Sequence, residues 1–344
     1  NVYTSFNQDY QKVVEKSASE YTKDSKVETS SIVVEPYTSK ILAIIGGKDY
    51  ASSQFNRATQ ANRQIGSTIK PLLYYLALEN GFTPATTFLC EPTTFKLDDN
   101  STYSPSNFND KYAYKDVTLA QAIAVSDNIF AVKTHLFLGT DNLASLIKKF
   151  GIKDVKANAS LALGTLNTNI YNLANMYNCL ASEGKYNHLY TIEKITNDAG
   201  KVLYQHEQED KQLLEQDSCL ELSQLLTSTF NSTFSTYLQA TMASYQLDNI
   251  NACKTGSTDV DNLAVAYNPQ VLVASWVGYD DNRKMETADD KTVAKKTVID
   301  VLNYTNENKD VTWYQPTEDL QQIAINPLTG DFDENGTVYW FKKD

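Results

Sequence analysis

The segment QIGSTIKPLLYYLALENG, residues 64–81, carries the best-patterned helix of the chain. Its apolar residues recur at helical spacing and form one stripe: Ile69, Leu72, Leu73, Leu76 and Ala77. Asn80-Gly81 predicts where the helix ends. Pro71 fits only the first helical turn, because its missing N–H is not needed there. The segment therefore predicts that Ser67 lies at or next to the N-terminus of a buried helix.

The elements on either side of this helix predict an α+β fold. A hairpin is predicted where Pro36-Tyr37-Thr38-Ser39 separates the β-branched runs Ser31 to Glu35 and Ile41 to Ile45. Further strands are predicted at Val2 to Phe6, Ala252 to Ser257, Leu263 to Tyr267 and Val271 to Gly278, and further helices at Asn7 to about Asp24, Thr118 to Val125, Ile129 to Leu138, Asp141 to Phe150, about 168 to 183 and about 217 to 246. Residues 82 to 117 are predicted to be loop-like, and Trp313 to Asp344 to form a small β appendage. Strands near both ends with helices between them predict an antiparallel central sheet sandwiched by helices.

The composition limits the classes of function. The chain has 344 residues, of which 42% are hydrophobic, so it can bury a real core. Lys plus Arg is 30 and Asp plus Glu is 42, for a net charge of -12, which disfavours binding to a nucleic-acid backbone. No apolar run reaches the ~18 residues of a membrane helix, and no signal-type segment is present. The chain begins at Asn1 without Met, so we expect it to be part of a longer protein.

The cysteines and histidines do not form a metal-binding pattern. The four cysteines are far apart, the three histidines are scattered, and neither set has the spacing of metal ligands: Cys90, Cys179, Cys219 and Cys253; His135, His188 and His206. We therefore expect buried or free thiols and no metal or other cofactor.

Three short motifs carry the chemistry: Ser67-Thr68-Ile69-Lys70, Ser126-Asp127-Asn128 and Lys254-Thr255-Gly256. Each motif alone has an ordinary structural explanation: a helix N-cap and a solvated lysine, a turn between helices, and the exit of a strand. A chain of this length contains S-x-x-K and S-x-N about once each by chance, and K-T-G far less often. The three motifs in this order, however, are the combination found in β-lactamases and penicillin-binding enzymes.

Residue chemistry supports interpreting the three motifs together. A serine hydroxyl needs a base, and Lys70 lies one turn from Ser67 on the same helix face. Burial and a second cation lower the pKa of a lysine, and we expect Lys254 to be that cation. Ser126 is then placed to relay a proton to the leaving nitrogen.

Other residues of the same motifs suit substrate binding. The backbone N–H groups of Ser67 and Ser257 are candidates for an oxyanion hole. We expect Thr255, Gly256 and Ser257, with the charge of Lys254, to bind a substrate carboxylate. Asn128 is expected to hydrogen-bond a substrate amide.

Beyond these motifs, the chain resembles the transpeptidase domain of class A penicillin-binding proteins. Six further stretches are similar to that family: Phe55 to Thr59 leading to Arg63 to Ser67, Lys70-Pro71, Ser104-Pro105-Ser106-Asn107, Val117-Thr118-Leu119, Leu161 to Thr165 and Trp276 to Asn282. The resemblance runs almost without interruption from Val2 to residue 305. It implies a transpeptidase domain over residues 1–305, with residues 1–28 as an entry strand and helix, and an appendage over 306–344. It also implies a serine β-lactamase or D,D-peptidase-like fold.

The resemblance implies a reaction as well. Ser67 attacks the D-Ala-D-Ala end of a peptidoglycan stem peptide, the last D-Ala leaves, and an amine of a neighbouring stem peptide resolves the acyl-enzyme into a cross-link. β-Lactams mimic D-Ala-D-Ala and acylate Ser67. Class A members carry a membrane anchor and a glycosyltransferase domain before this region, which implies action at the outer face of the bacterial cell membrane.

Three positions depart from the usual family pattern. Cys253 replaces a usual Gly, Ile65 a usual Pro, and Leu263 a common aromatic residue. These changes leave the shape of the cleft wall open. Cys253 is expected either to pack as a buried thiol or to narrow the strand edge.

Three related functions remain open on the sequence alone. A serine β-lactamase shares the motifs but needs a glutamate to activate water, and no Glu occurs between Gln121 and Ala181, where Leu161 to Asn167 takes the corresponding place. A D,D-carboxypeptidase uses the same residues with water as the acceptor. A β-lactam sensor domain is acylated without turnover.

Overall fold

The computed structural model describes residues 1–97 and 100–343. Asp98 and Asp99, inside the predicted loop, and Asp344, at the end of the predicted appendage, lie outside the described residues. The strands are β1 Val2–Thr4, β2 Glu28–Glu35, β3 Lys40–Ile45, β4 Arg63–Gln64, β5 Thr87–Leu89, β6 Phe95–Lys96, β7 Thr102–Tyr103, β8 Asp116–Thr118, β9 Asn167–Thr168, β10 Lys185–Tyr186, β11 Ile192–Thr196, β12 Val202–Gln205, β13 Lys211–Gln212, β14 Ala252–Ser257, β15 Asp261–Asn268, β16 Val271–Gly278, β17 Leu320–Ile325 and β18 Thr337–Lys342.

Helices account for much of the remaining chain. The α-helices are α1 Gln8–Thr22, α2 Arg57–Gln60, α3 Lys70–Glu79, α4 Leu119–Val125, α5 Asn128–Leu138, α6 Thr140–Lys149, α7 Ile170–Ala181, α8 Gln216–Leu226 and α9 Val293–Asn308. Short 3-10 helices occur at Gly66–Ile69, Phe108–Asp110, Ala159–Leu163, Thr227–Phe230, Ser232–Phe234 and Asp290–Thr292. No helix of the described part is long and apolar enough to cross a membrane.

The central sheet has five strands in the order β14-β15-β16-β2-β3, and every neighbouring pair is antiparallel. Alternate residues of each strand contribute to two separate cores, because successive side chains point to opposite faces. Ile32 and Val265 belong to the front core, which contains residues of α3, α4, α7 and α8. Val33 and Ala264 belong to the back core, which contains residues of α1 and α9. The predicted α+β sandwich with an antiparallel central sheet is confirmed.

The first strand, predicted at Val2 to Phe6, runs from Val2 to Thr4 and does not join the central sheet. β1 pairs with β11 in a separate three-stranded sheet, so the central sheet receives only β2 and β3 from the N-terminal part of the chain. The region predicted to be loop-like also contains short paired strands, β5 with β8 and β6 with β7.

The helix predicted from about 217 to 246 ends as an α-helix at Leu226. Ser, Thr and Asn side chains hydrogen-bond to nearby backbone in the following segment: Thr227 Oγ1 donates to Gln224 O at 2.7 Å, and Asn231 Oδ1 accepts from Thr233 N at 2.9 Å. Such bonds offer the backbone an alternative to helical pairing. The chain therefore continues as short 3-10 turns.

The predicted C-terminal β appendage is the hairpin of β17 and β18. Tyr339 and Trp340 are buried in the front core, and Trp340 N donates to Gln224 Oε1 on α8 at 2.7 Å. The hairpin is thus packed against the main body. The division at residue 305, which falls within α9, stays a prediction.

Candidate active site

The site begins at the 3-10 turn Gly66–Ile69, which leads directly into α3. Pro71 occupies the first turn of α3, as the sequence predicts, because that turn does not need its N–H. Residues three apart lie one above the other in a 3-10 turn, so Ser67 and Lys70 share a face. Ser67, the candidate nucleophile, is partly exposed, whereas Lys70 is fully buried.

Ser126 lies between α4 and α5 in the left-handed conformation, with φ 60° and ψ 44°. This backbone turns both its carbonyl and its hydroxyl toward Lys70, whose Nζ donates to Ser126 O at 2.8 Å and to Oγ at 3.3 Å. Lys70 Nζ also donates to Asp127 O at 3.0 Å and Asn128 Oδ1 at 2.8 Å. The end of one helix and the start of the next thus enclose the ammonium group with oxygen acceptors.

Lys254 approaches the same serine from β14. Its Nζ donates to Ser126 Oγ at 2.8 Å and to Thr255 O at 2.8 Å. Ser126 Oγ therefore lies within hydrogen-bonding distance of both lysines. In the described residues no hydrogen bond joins Ser67 Oγ to Lys70 Nζ, so the lysine in this structure is bonded to Ser126, Asp127 and Asn128 instead.

Burial is the main reason that both lysines are easier to deprotonate than a lysine in water. Burial lowers the pKa of Lys70 to about 7, against the opposing effect of the Asp127 charge. Burial also lowers the pKa of Lys254, and the nearby charge of Lys70 lowers it further. The expected effect of Lys254 on the pKa of Lys70 is not found: burial lowers that pKa, and it is Lys70 that lowers the pKa of Lys254.

The edge strand β14 forms one wall of the site. Thr258 N donates to Asp261 O at 2.9 Å, so the preceding pair, Ser257 and Asn262, is a pair whose N–H groups point away from each other. Because β14 is at the sheet edge, the Ser257 N–H faces outward. A Cβ on Gly66 would lie 3.2 Å from Ser257 N, so the backbones of residues 66 and 257 are adjacent. This adjacency is compatible with an oxyanion hole formed by Ser67 N and Ser257 N, which stays a prediction.

The other predicted binding residues lie close to this wall. A Cβ on Gly256 would lie 2.5 Å from Ile65 O, so glycine is needed where β14 passes the turn that carries Ser67. Thr255 is buried, and Ser257 is exposed with its hydroxyl bonded to Asn262 Oδ1 at 2.7 Å. Asn128 donates from Nδ2 to Ser106 O at 2.7 Å, so both ends of its amide contact protein atoms. Its role toward substrate stays a prediction.

Cys253 does not face the cleft. Lys254 points to the front, so its neighbour points to the back, where Cys253 is fully buried in the core with Met242 and Val273. Of the two expectations for this residue, the packed thiol is confirmed.

Arg57 and Arg63, from the stretches that resemble the family, form ion pairs beside the site. Arg57 makes a two-point bond to Asp280, at 2.7 and 2.6 Å. Arg63 donates to Asp261 Oδ1 at 3.0 and 2.7 Å, and Trp276 Nε1 donates to the same oxygen at 2.9 Å. These bonds tie the segment before Ser67 to strands β15 and β16.

A buried network beneath Ser126 and Asn128 was missed by sequence reasoning. Asp127 is fully buried and caps α5, and its Oδ2 accepts bonds from Asn107, Cys90 and Tyr237. Asn107 belongs to a family-like stretch, but Cys90 and Tyr237 lie 37 and 110 residues from Asp127, and nothing in their spacing relates them to it.

The chain is similar to known proteins over most of its length. The family model "Penicillin binding protein transpeptidase domain" matches residues 29–289. The chain is 38% identical over 335 residues to penicillin-binding protein 2D of Bacillus subtilis (strain 168), covering 96% of this chain and 48% of that protein. It is 33% identical over 312 residues to penicillin-binding protein 1A of Aquifex aeolicus (strain VF5), covering 88% of this chain and 41% of the relative. The chain thus spans about half of the length of these curated relatives.

Solved structures share the fold. Penicillin-binding protein 1A from Haemophilus influenzae superimposes with a TM-score of 0.82 at 22% identity, over 92% of this chain and 53% of that chain. PonA1 from Mycobacterium tuberculosis, solved in complex with penicillin V, gives a TM-score of 0.78 at 20% identity, over 92% and 89%. With the family match over residues 29–289 and a site that brings its three motifs together, the chain belongs to the penicillin-binding protein transpeptidase family.

Proposed function

We propose that this chain is a D,D-transpeptidase domain that cross-links peptidoglycan stem peptides through an acyl-enzyme on Ser67. One observation carries the proposal: Ser126 Oγ lies 3.3 Å from Lys70 Nζ and 2.8 Å from Lys254 Nζ. Both lysines are buried, next to a partly exposed Ser67. In this arrangement Lys70 is the base, the Ser126 hydroxyl is the proton relay, and Lys254 is a second amine beside the relay.

The acylation step follows from these positions. Lys70 in its neutral form takes the proton of Ser67, whose Oγ attacks the carbonyl carbon of the penultimate D-Ala. The negative charge on the carbonyl oxygen is stabilised by the N–H groups of Ser67 and Ser257, each contributing about 3 kcal/mol. The proton then passes through Ser126 Oγ to the departing amine as the peptide C–N bond breaks. Free D-Ala leaves, and an ester joins Ser67 to the stem peptide.

The second step reverses this proton path. The amine of a neighbouring stem peptide attacks the ester and loses a proton toward Ser126 and Lys70. Ser67 regains its proton as the C–O bond breaks. The terminal carboxylate of the donor peptide is expected near Thr255, Gly256 and Ser257, and Asn128 is expected to contact a substrate amide.

β-Lactams are proposed to acylate Ser67 as well, and the resulting acyl-enzyme is proposed to hydrolyse slowly. A rapid lactamase needs a glutamate that positions water, and the loop from Leu161 to Asn167 contains no Glu. This loop lies directly against the turn that carries Ser67, because a Cβ added to Gly164 would overlap Gly66 O. The backbone of this loop is held against the nucleophile turn by the bond from Gly66 N to Gly164 O, 3.1 Å. This packing favours a long-lived adduct.

The wider setting of the domain is also a proposal. The chain matches about half of each curated relative, so a longer protein with a glycosyltransferase domain and a membrane anchor is proposed. Because its proposed substrate is peptidoglycan, the domain is expected to act at the outer face of the bacterial cell membrane.

The test is intact-protein mass spectrometry after benzylpenicillin, with peptide mapping and a time course. We expect one adduct on the peptide that holds Ser67, stable for hours, and none on Ser67→Ala. Rapid adduct loss with drug hydrolysis would instead identify a lactamase. No adduct with either benzylpenicillin or a reactive thioester substrate would contradict the proposal.

A second assay identifies the acceptor. Stem peptides ending in D-Ala-D-Ala are supplied with and without an amine-bearing acceptor, and D-Ala release and cross-linked product are both measured. Cross-linked product supports the transpeptidase, D-Ala release without it indicates a carboxypeptidase, and acylation without turnover indicates a sensor.

A further inference from the structure

Behind Lys70 lies a buried carboxylate whose donors come from three distant parts of the chain. Asp127 Oδ2 accepts from Asn107 Nδ2 at 2.7 Å, Tyr237 Oη at 2.7 Å and Cys90 Sγ at 2.9 Å. Asp127 Oδ1 accepts from Phe130 N at 2.7 Å. Four donors surround the two oxygens, which is the arrangement that an ionised carboxylate requires.

The same network reaches the catalytic lysine through its neighbours. Asn107 Oδ1 accepts from Asn128 N at 2.7 Å, and Asn128 Oδ1 accepts from Lys70 Nζ at 2.8 Å. The backbone carbonyl of Asp127 accepts directly from Lys70 Nζ at 3.0 Å. The carboxylate is therefore fixed relative to the lysine by two routes.

We propose that Cys90 is a positioning residue for acylation: by donating its thiol proton to Asp127 Oδ2, it holds and partly neutralises the anion that faces Lys70. The proposal rests on the proposed function, because it concerns how Ser67 becomes acylated. Cys90 is buried, and Asn107 Nδ2 and Ala113 N point at its sulfur at 3.4 and 3.5 Å. Its thiol is thus placed to act as a donor, and burial raises its pKa to about 12, which keeps it protonated.

Few charged or titratable groups face Lys70 in the described structure. Asp127 faces it from the α4–α5 junction and raises its pKa, while Lys254 faces it from β14. Tyr74, on α3 itself, lies against Asp127, and burial raises its pKa well above the ordinary value. Among the described residues, Asp127 is hence the one charged group whose interaction with Lys70 favours the ammonium form.

Removing a donor from Oδ2 leaves the carboxylate less neutralised, so the ammonium form of Lys70 is favoured and the base is available only at higher pH. Cys90→Ala should shift the midpoint of the acylation profile to higher pH. We expect acylation about two- to threefold slower at pH 7, with an unchanged plateau at high pH, since a shift of half a unit changes the neutral fraction by that factor.

The experiment measures the second-order rate of acylation by benzylpenicillin from pH 5.5 to 9.5, by intact mass, for this chain and its variants. Cys90→Ser keeps a donor and should keep the wild-type midpoint. Cys179→Ala is the matched control, because that buried thiol donates to a carbonyl away from the site, Gly184 O at 3.3 Å. It should leave the profile unchanged.

Two further variants keep the test decisive if Cys90→Ala does not fold. Tyr237→Phe removes another donor from the same oxygen at nearly constant volume and should also move the midpoint upward. Asp127→Asn removes the charge and should move it downward.

The outcomes separate the hypotheses. An upward shift for Cys90→Ala, with the wild-type midpoint for Cys90→Ser and a downward shift for Asp127→Asn, supports the proposal. Only where Cys90→Ala does not fold is the upward shift read from Tyr237→Phe instead. An unshifted midpoint, or a uniform loss of rate at every pH, overturns it and leaves Cys90 with a packing role only. Absence of acylation in the wild type refutes the proposed function, and this proposal with it.

Discussion

Acidification should slow acylation of Ser67 steeply, because Lys70 must be neutral to accept the serine proton. With the pKa of Lys70 at about 7, its neutral fraction is about 1% at pH 5 and about 90% at pH 8. If only the neutral form acts as the base, the second-order rate of acylation rises about 90-fold between these values. Above pH 8 the rate should level off.

The assay is the rate of benzylpenicillin adduct formation across this range, with circular dichroism at each pH to verify folding. Lys48→Met is a matched control, since Lys48 is a half-buried lysine outside the site whose Nζ donates to Ser25 O at 2.8 Å. It should leave the midpoint unchanged. A flat profile, or a midpoint near 10, would refute the view that burial makes Lys70 the base.

Two more predictions concern the stability and shape of the site. Folding lowers the pKa of Lys70 from 10.5 to about 7. Between these two pH values the unfolded chain binds one more proton than the folded chain, so the free energy of unfolding rises with pH. Measured by denaturant titration and compared with Lys70→Met, the wild-type free energy of unfolding should increase by about 2 kcal/mol from pH 7 to 9. No difference in pH dependence between the two proteins would contradict this. Gly164→Ala should lose acylation rate and more stability than Gly81→Ala, because both glycines have φ +83° but only at Gly164 would a Cβ overlap the backbone at Gly66. Equal losses, at about the 1–2 kcal/mol of left-handed strain, would show that the contact is unimportant.

Helical periodicity and one proline are enough to locate the proposed nucleophile, Ser67, from the sequence. The stripe from Ile69 to Ala77 and the position of Pro71 predict Ser67 at a helix start, which the structure confirms. The two sheet faces are also within reach of sequence reasoning: since Lys254 must face the cleft, alternation alone turns Cys253 to the back. These features are local, so local patterns predict them.

The parts that sequence did not predict depend on distant contacts. Strand β1 resembles any short strand in sequence, and only its pairing with β11 shows that it lies outside the central sheet. Cys90 and Tyr237 converge on Asp127 because the loop after β5 and the segment after α8 both pack against the start of α5. No residue spacing encodes that convergence. The helix predicted beyond Leu226 was wrong because apolar spacing was weighed without the Ser, Thr and Asn side chains that compete for the backbone.

The residues proposed for catalysis and substrate binding share one structural property: they lie where elements begin or end. Ser67 is in the turn before α3, Ser126 ends α4, and Asn128 begins α5. The C-terminal end of a helix leaves carbonyls without helical partners, and here the carbonyl of Ser126, which ends α4, takes the Lys70 ammonium as its donor. Asp127 Oδ1 accepts from Phe130 N in the cap that starts α5, whereas Oδ2 accepts from Cys90 and Tyr237. Because the two roles use different oxygens, a change at Cys90 or Tyr237 should alter the acylation profile before it alters the fold.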